Sequence, residues 1–333
     1  MKFNLIEDVK IMLIVLILFP LIVWFLLSQP TFSFGNSESK FTLAKAENLK
    51  KHLYTIVEKF NDRGYTNTEM LNKTADYIHH EFSKYSDEVT YQIFEAQAFD
   101  DEPIEQYKNV IAKFKGTNSC DDKIYLIGGH YDTFAGYTGA NDNTSSVVAL
   151  LELARLFKAH PPKCNLQLVA YSLEEPPFFR SEKMGSFVHA KSLKESNTKV
   201  ELAIILDMIG FYSDDANSQT YPFPFMSWYY PTKANFITIV SNLSLENILH
   251  LRDVKSHFKK GTLPTYSMSA PSFIPGIDFS DHQSYWKMGY PAILISDTAF
   301  YRSDNYHTQK DTPDTLNYEN MAKVVDGVFE VVR

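Results

Sequence analysis

Four short, mainly apolar runs constrain this chain more than any other feature: Ile124–Ile127, Leu166–Tyr171, Leu202–Leu206 and Tyr290–Ile295. Each is too short for a helix, and the first three run directly into residues that carry chemistry. Between them lie stretches with apolar residues at helical spacing, clearest in Val147–Lys158. Strands alternating with helices predict a largely parallel sheet covered on both faces. The expected fold is α/β, a three-layer α/β/α arrangement around a mostly parallel mixed sheet.

The flanking segments fit that frame. Helical spacing is read over 43–61 and 69–84, and strand-like alternation over 89–99 and 107–114. Further helices are expected at 187–193, 233–242, 246–258 and 320–332, with an irregular aromatic stretch over 212–230. The 32 Lys+Arg against 40 Asp+Glu give a net charge of −8 with no basic block, which excludes a nucleic-acid partner. Two cysteines exclude a disulfide-rich scaffold and a four-Cys zinc module.

The N-terminus is different in character. Ile11 to Leu27 is an unbroken apolar run broken in type only by Pro20. Its length meets the lower bound of the roughly 17–25 residues a spanning helix needs. No small-residue cleavage site follows Leu27, which favours an uncleaved anchor over a removed signal segment. Lys2 and Lys10 before the run balance Lys40 and Lys45 after it, so orientation is not specified. The expected organisation is a tail at 1–10, a transmembrane anchor at 11–27, a linker at 28–41 and a catalytic domain at 42–333.

Common catalytic signatures are absent. No nucleophile elbow, Walker loop or dinucleotide fingerprint occurs. His79-His80-Glu81 lacks the second histidine of a His-Glu-x-x-His site, because position 84 is Lys84. His52, His160, His189, His250 and His257 read as structural. What remains is a set of polar groups placed just after strands: Gly128-Gly-His130-Tyr-Asp132, Gly139-Ala-Asn-Asp142-Asn143, Glu174-Glu175, Asp207-Met-Ile-Gly210 and Tyr306-His307. Open α/β sheets bind ligands beyond the carboxyl ends of their strands, so these groups converge on one edge. Several buried carboxylates with two imidazoles require a compensating cation. His and carboxylate donors without Cys suit catalytic zinc.

In order and content these segments resemble the co-catalytic two-zinc aminopeptidases, in a superfamily that also holds glutamate carboxypeptidase and glutaminyl cyclase. The resemblance implies a zinc-exopeptidase fold with two Zn²⁺ ions. It implies that His130 and Asp207 bind one zinc, Glu175 and His307 the other, and that Asp142 bridges them. Glu174 is implied as the general base, Asp132 as the partner that holds His130, and Tyr306 as a stabiliser of the tetrahedral intermediate. A cis peptide at Asp142–Asn143 is also implied. Substrates would be peptides with a free N-terminus, and the membrane a partner through residues 11–27. The alternatives are a single-zinc glutaminyl-peptide cyclotransferase and a receptor-like ectodomain that has lost catalysis. Pro176-Pro-Phe178-Phe179 departs from the family pattern by delaying Gly185-Ser186 after the Glu pair, which leaves side-chain specificity open.

Cys120 and Cys164 each lie ten residues before a site residue, His130 and Glu174. If their strands are parallel neighbours, the two meet at the sheet edge opposite the metals. A disulfide is expected, and with it a compartment outside the cytosol, with the catalytic domain on the non-cytoplasmic side of a single-pass anchor, or secreted if the segment is cleaved.

Overall fold

The computed structural model describes residues 5–28, 43–118, 120–258 and 261–333. In chain order the elements are α1 (Leu5–Ser28), α2 (Ala46–Lys59), α3 (Thr68–Ser83), β1 (Glu88–Ala96), β2 (Glu105–Phe114), β3 (Lys123–His130), α4 (Ser145–Ala159), β4 (Asn165–Tyr171), α5 (Gly185–Glu195), β5 (Lys199–Leu206), β6 (Ile237–Ser241), α6 (Leu245–Phe258), β7 (Thr265–Ser269), α7 (His282–Lys287), β8 (Ala292–Ser296) and α8 (Tyr318–Val332).

The eight strands form one mixed sheet in the order β1-β2-β4-β3-β5-β8-β6-β7. The centre, β4-β3-β5-β8, is parallel throughout. Antiparallel pairs join β1 to β2, β2 to β4 and β6 to β8, and β6 and β7 are parallel. Side chains alternate between faces. Leu202, Ile204 and Leu206 join a core with residues of α2, α3, α4, α6 and α8, while Ala203 and Ile205 join a second core with α5 and α7. That alternation makes β5 apolar from Leu202 to Leu206, the part covered on both faces. Gly129 permits a close approach of β3 to β5 and α4. A Cβ there would lie 2.8 Å from the Leu206 carbonyl oxygen and 2.9 Å from Ser146 Cβ.

From β3 the chain goes to β4 on one side and β5 on the other. The strand order therefore reverses beside His130, the position at which doubly wound sheets open a crevice.

Two expectations need correction. The helix expected over 233–242 is instead β6. Ile237, Thr238, Ile239 and Val240 are all β-branched, and sheet neighbours on both sides decide the matter in favour of a strand. Strand β7 and the short α7 were not anticipated, because Thr265-Tyr-Ser-Met-Ser is too polar to stand out. The apolar N-terminal run is helical, as α1, with every described side chain from Ile6 to Ile22 exposed. Among the described residues no helix is long and apolar enough to cross a membrane, so the transmembrane role expected for 11–27 is not shown by the fold. Apart from Ser28, the expected linker lies outside the described residues.

Cys120 and Cys164 form a disulfide with Cα atoms 5.5 Å apart, at the starts of the parallel neighbours β3 and β4. The bond closes a separation of 44 residues. Loop-closure entropy predicts that replacing both cysteines with alanine lowers stability by about 4 kcal/mol. An unchanged urea midpoint would contradict this.

His189 is buried on the opposite face of the sheet from α4. Its Nδ1 lies 2.8 Å from Tyr285 Oη and its Nε2 3.1 Å from Gln167 Oε1, partners that a neutral ring satisfies. Burial lowers its pKa to about 3. A depressed histidine contributes stability that is complete above its unfolded pKa of 6.5 and is lost as pH falls toward 3. The expected loss from this group is about 2 kcal/mol by pH 5. His189→Gln should flatten the parent's pH–stability slope between pH 6.5 and 5, and an unaltered slope would exclude His189 as its source.

Candidate metal centre

Each expected site residue sits where a strand ends or a turn begins. His130 is the last residue of β3, Asp207 follows β5 directly, and Glu174-Glu175 follow β4 by a short turn. Asp142 lies in the wide turn before α4, and His307 in the loop after β8. His130, Asp142, Glu174 and Glu175 are buried, with Asp207 and His307 partly so.

Together they form two groups that share one residue. Asp142 Oδ1 lies 3.4 Å from His130 Nε2, and Asp142 Oδ2 lies 3.1 Å from His307 Nε2. Asp207 Oδ2 is 3.8 Å from the first imidazole nitrogen, and Glu175 Oε2 is 3.1 Å from the second. The triplets His130/Asp142/Asp207 and Asp142/Glu175/His307 thus each gather three donor atoms within 4.8 Å. A third grouping, His130/Glu174/Glu175, shares their space. The bridging pair is preferred because only it gives each Asp142 oxygen its own imidazole.

Zinc fits these residues. Ligands about 2.0–2.1 Å from a tetrahedral ion lie about 3.3 Å from one another. The observed separations of 3.1 to 3.8 Å bracket that value. His130 Nε2 and Glu175 Oε1 are buried with no hydrogen-bond partner, the condition of atoms whose lone pairs face a cation.

Neighbouring groups hold the donors in place. Asp132 accepts hydrogen bonds from the backbone amides of Glu174 (3.1 Å, Oδ1) and Glu175 (3.0 Å, Oδ2). Its Oδ1 also lies 3.3 Å from His130 Nδ1, on the ring edge away from the proposed metal. One carboxylate therefore positions three site residues. Asp311 does the same for the bridge, accepting from the amides of Asn141 (2.8 Å) and Asp142 (3.0 Å). Asn143 accepts from Met208 N and donates to the Leu206 carbonyl, and Asn141 accepts from Gly210 N. The two amides flanking Asp142 thus staple it to the segment that carries Asp207. The Asp142–Asn143 peptide is cis, as is Pro176–Pro177.

His307 is held differently. Phe134 stacks on one side of its ring at 4.1 Å between centroids, and Tyr306 stacks on it at 3.8 Å. Arg63 is buried behind the turn and donates to the carbonyls of Phe60, Tyr131 and Gly139 and to Thr144 Oγ1.

The electrostatics are those of crowded acids. Burial raises Glu174 well above the carboxylate range, with Glu175 and Asp207 adding to it against the pull of His130. Burial and Asp142 raise Glu175 to about 7. Asp207 is raised by burial as well. For His307 burial acts downward, yet Asp142 and Glu175 override it and raise the ring to about 10. His130 shows the same contest, with Glu174, Asp132 and Asp142 prevailing over burial. Both imidazoles are drawn toward their charged forms, so the cluster favours added positive charge.

Sequence reasoning missed Phe134 and Arg63 as parts of this apparatus, and it placed Asp311 in a motif after His307 without a role. It also missed Asp281, which is buried so close that its charge raises both Glu174 and Asp207. Phe134, Arg63 and Asp281 belong to no motif that announces metal chemistry. Of the two phenylalanines after the Glu pair, Phe178 packs in the core against Tyr65 and Tyr107, and Phe179 lines the site. Among the described residues, no histidine read as structural enters a metal-binding group. His79 stacks on Tyr91.

The centre opens into a cavity of about 230 Å³. Asp142, Glu174, Glu175, Asp207, Tyr306 and His307 line its polar end. The remaining wall is mainly apolar, including Met208, Phe236, Val240, Met268 and Leu294, with no Lys or Arg among the described lining residues.

Comparison with known proteins agrees with this geometry. The chain is 44% identical over 300 residues to the uncharacterized protein YfbL of Escherichia coli strain K12, covering 87% of this chain and 88% of that protein. Its fold matches BSAP, a zinc aminopeptidase from Bacillus subtilis, with a TM-score of 0.66 at 16% identity, covering 86% of this chain and 94% of that one. It also matches Bacteroides thetaiotaomicron glutaminyl cyclase, with a TM-score of 0.61 at 18% identity, covering 86% and 97%. The sequence profile of Peptidase family M28 matches residues 109–332, and with the metal-binding cluster at the strand ends the chain belongs to that family of zinc metallopeptidases.

Proposed function

We propose that this protein is an aminopeptidase that removes N-terminal residues from peptides at a two-zinc centre. The observation that carries this reading is the bridging carboxylate. The two oxygens of Asp142 face two different imidazoles, and each imidazole has a further carboxylate beside it. His130 and Asp207 would hold one zinc, Glu175 and His307 the other, and Asp142 both. Zinc bound there supplies Lewis-acid polarisation of a carbonyl and makes water acidic near neutral pH.

The chain's own groups supply the rest. Glu174 would take a proton from the attacking water and return it to the leaving amine nitrogen, a task suited to a buried carboxyl whose proton affinity is raised. Asp132 keeps the Glu174 backbone and the His130 ring in register with each other. Tyr306 would donate its hydroxyl to the developing oxyanion from the polar end of the cavity. A peptide's free ammonium group would meet the carboxylates there, while the side chain of its first residue entered the apolar part. That arrangement favours cleavage at chain ends.

In this reading α1 anchors the protein to a membrane through residues 11–27, with the catalytic part on the non-cytoplasmic side. The Cys120–Cys164 disulfide supports an oxidising compartment.

Glu174→Gln should keep its zinc while losing about 10²–10⁴-fold in kcat on an aminoacyl anilide. Turnover near the parent's would remove Glu174 as the base. Chelation should abolish activity and lower the thermal midpoint, because crowded carboxylates lose their compensating charge, and zinc should restore both. Metal analysis is expected to give two zinc ions per chain. A single zinc with cyclisation of Gln-peptides would instead establish a cyclotransferase.

A further inference from the structure

We propose that an aromatic rim around the mouth of the cavity seats on a phospholipid bilayer. Two loops from different parts of the chain make this rim. The turn at Pro224–Trp228 points Met226 into the cavity wall and turns Phe225 and Trp228 outward, 48% and 79% exposed. Phe223, 41% exposed, stacks on Phe225 with ring centroids 5.6 Å apart. On the second loop Ile274 lines the cavity and its neighbour Phe273 is 84% exposed. Single exposed apolar residues are ordinary, but large aromatics on two loops bordering one apolar opening form a patch.

Charge and chain length say what covers it. The protein carries 40 acidic residues, yet none occurs between Asp215 and Glu246 or between Asp253 and Asp278, the two segments that hold the rim. Lys233, exposed, falls within the first, whereas Lys255 in the second is buried against Ser267. Acid-free segments with tryptophan and phenylalanine at their exposed tips have the composition of a membrane–water contact. The apolar helix α1 runs beside β7, and Tyr266 and Met268 of β7 line the same cavity. On the anchor reading proposed above, residues 29–42 span at most about 50 Å, a tether that leaves the rim within reach of lipid. With the mouth at the bilayer, the cavity takes its ligand from the interface. On the aminopeptidase reading, that ligand is a peptide whose apolar N-terminal segment lies in the headgroup region.

The test uses the full chain in phosphatidylcholine/phosphatidylglycerol vesicles, with and without brominated acyl chains. Subtracting the emission of Trp228→Phe from that of the parent isolates Trp228, an exposed residue whose replacement spares the core. The difference emission is expected to be blue-shifted and to lose most of its intensity in brominated lipid. Emission that stays water-like and untouched by bromine overturns the proposal. Shielding from acrylamide without bromine quenching also overturns it, because another protein surface, such as a second copy, then covers the rim. This readout needs no turnover, so failure of the peptidase reading leaves it intact. Phe273→Ser with Trp228→Ser should slow hydrolysis of a vesicle-bound apolar peptide and leave a soluble anilide unaffected.

Discussion

Crowded negative charge is the constraint on which the rest of this structure depends. Asp142, Glu174, Glu175 and Asp207 converge on two imidazoles in a space largely closed to water. Without positive charge they would repel one another, and the imidazoles respond by strengthening their hold on protons. A fold that keeps such a group together must hold every member from outside the cluster. The parallel centre of the sheet does so by ending β3, β4 and β5 at one edge and reversing strand order between them.

Buried carboxylates outside the donor set do the finer positioning. Asp132 and Asp311 each accept two backbone amide hydrogens from segments that carry donors. Their charge is spread over fixed N–H groups, so they align the donors without competing for the metal. Asn141 and Asn143 add the link between the Asp142 turn and the Asp207 turn. The geometry of the donor cluster is therefore mostly a backbone property, set by hydrogen bonds from side chains outside the donor set.

Much of this was legible before any coordinates. The buried strands announced themselves as short, mainly apolar runs because a strand covered on both faces has few polar positions, and the donors followed those runs directly. The disulfide was legible for the same reason, since equal spacing ahead of parallel neighbours brings two cysteines together. Strand β6 was not, because Phe236 to Ser241 satisfies helical and strand patterns alike over so few residues and the choice rests on partners β7 and β8. Phe134 and Arg63 were hidden for another reason. A phenylalanine and an arginine in loops carry no signal of the ring or the carbonyls they will meet.

The aromatic sandwich around His307 has a spectroscopic consequence. Phe134 lies 2° from parallel with the imidazole and Tyr306 lies 17° from it. The carbon-bound protons of His307 therefore sit over the faces of neighbouring rings, where induced ring currents shield them. Their resonances move upfield, away from those of the exposed histidines. One side chain of the candidate metal centre thus carries its own resolved label, which responds to occupancy of the site through the imidazole while the stacking holds the ring in place.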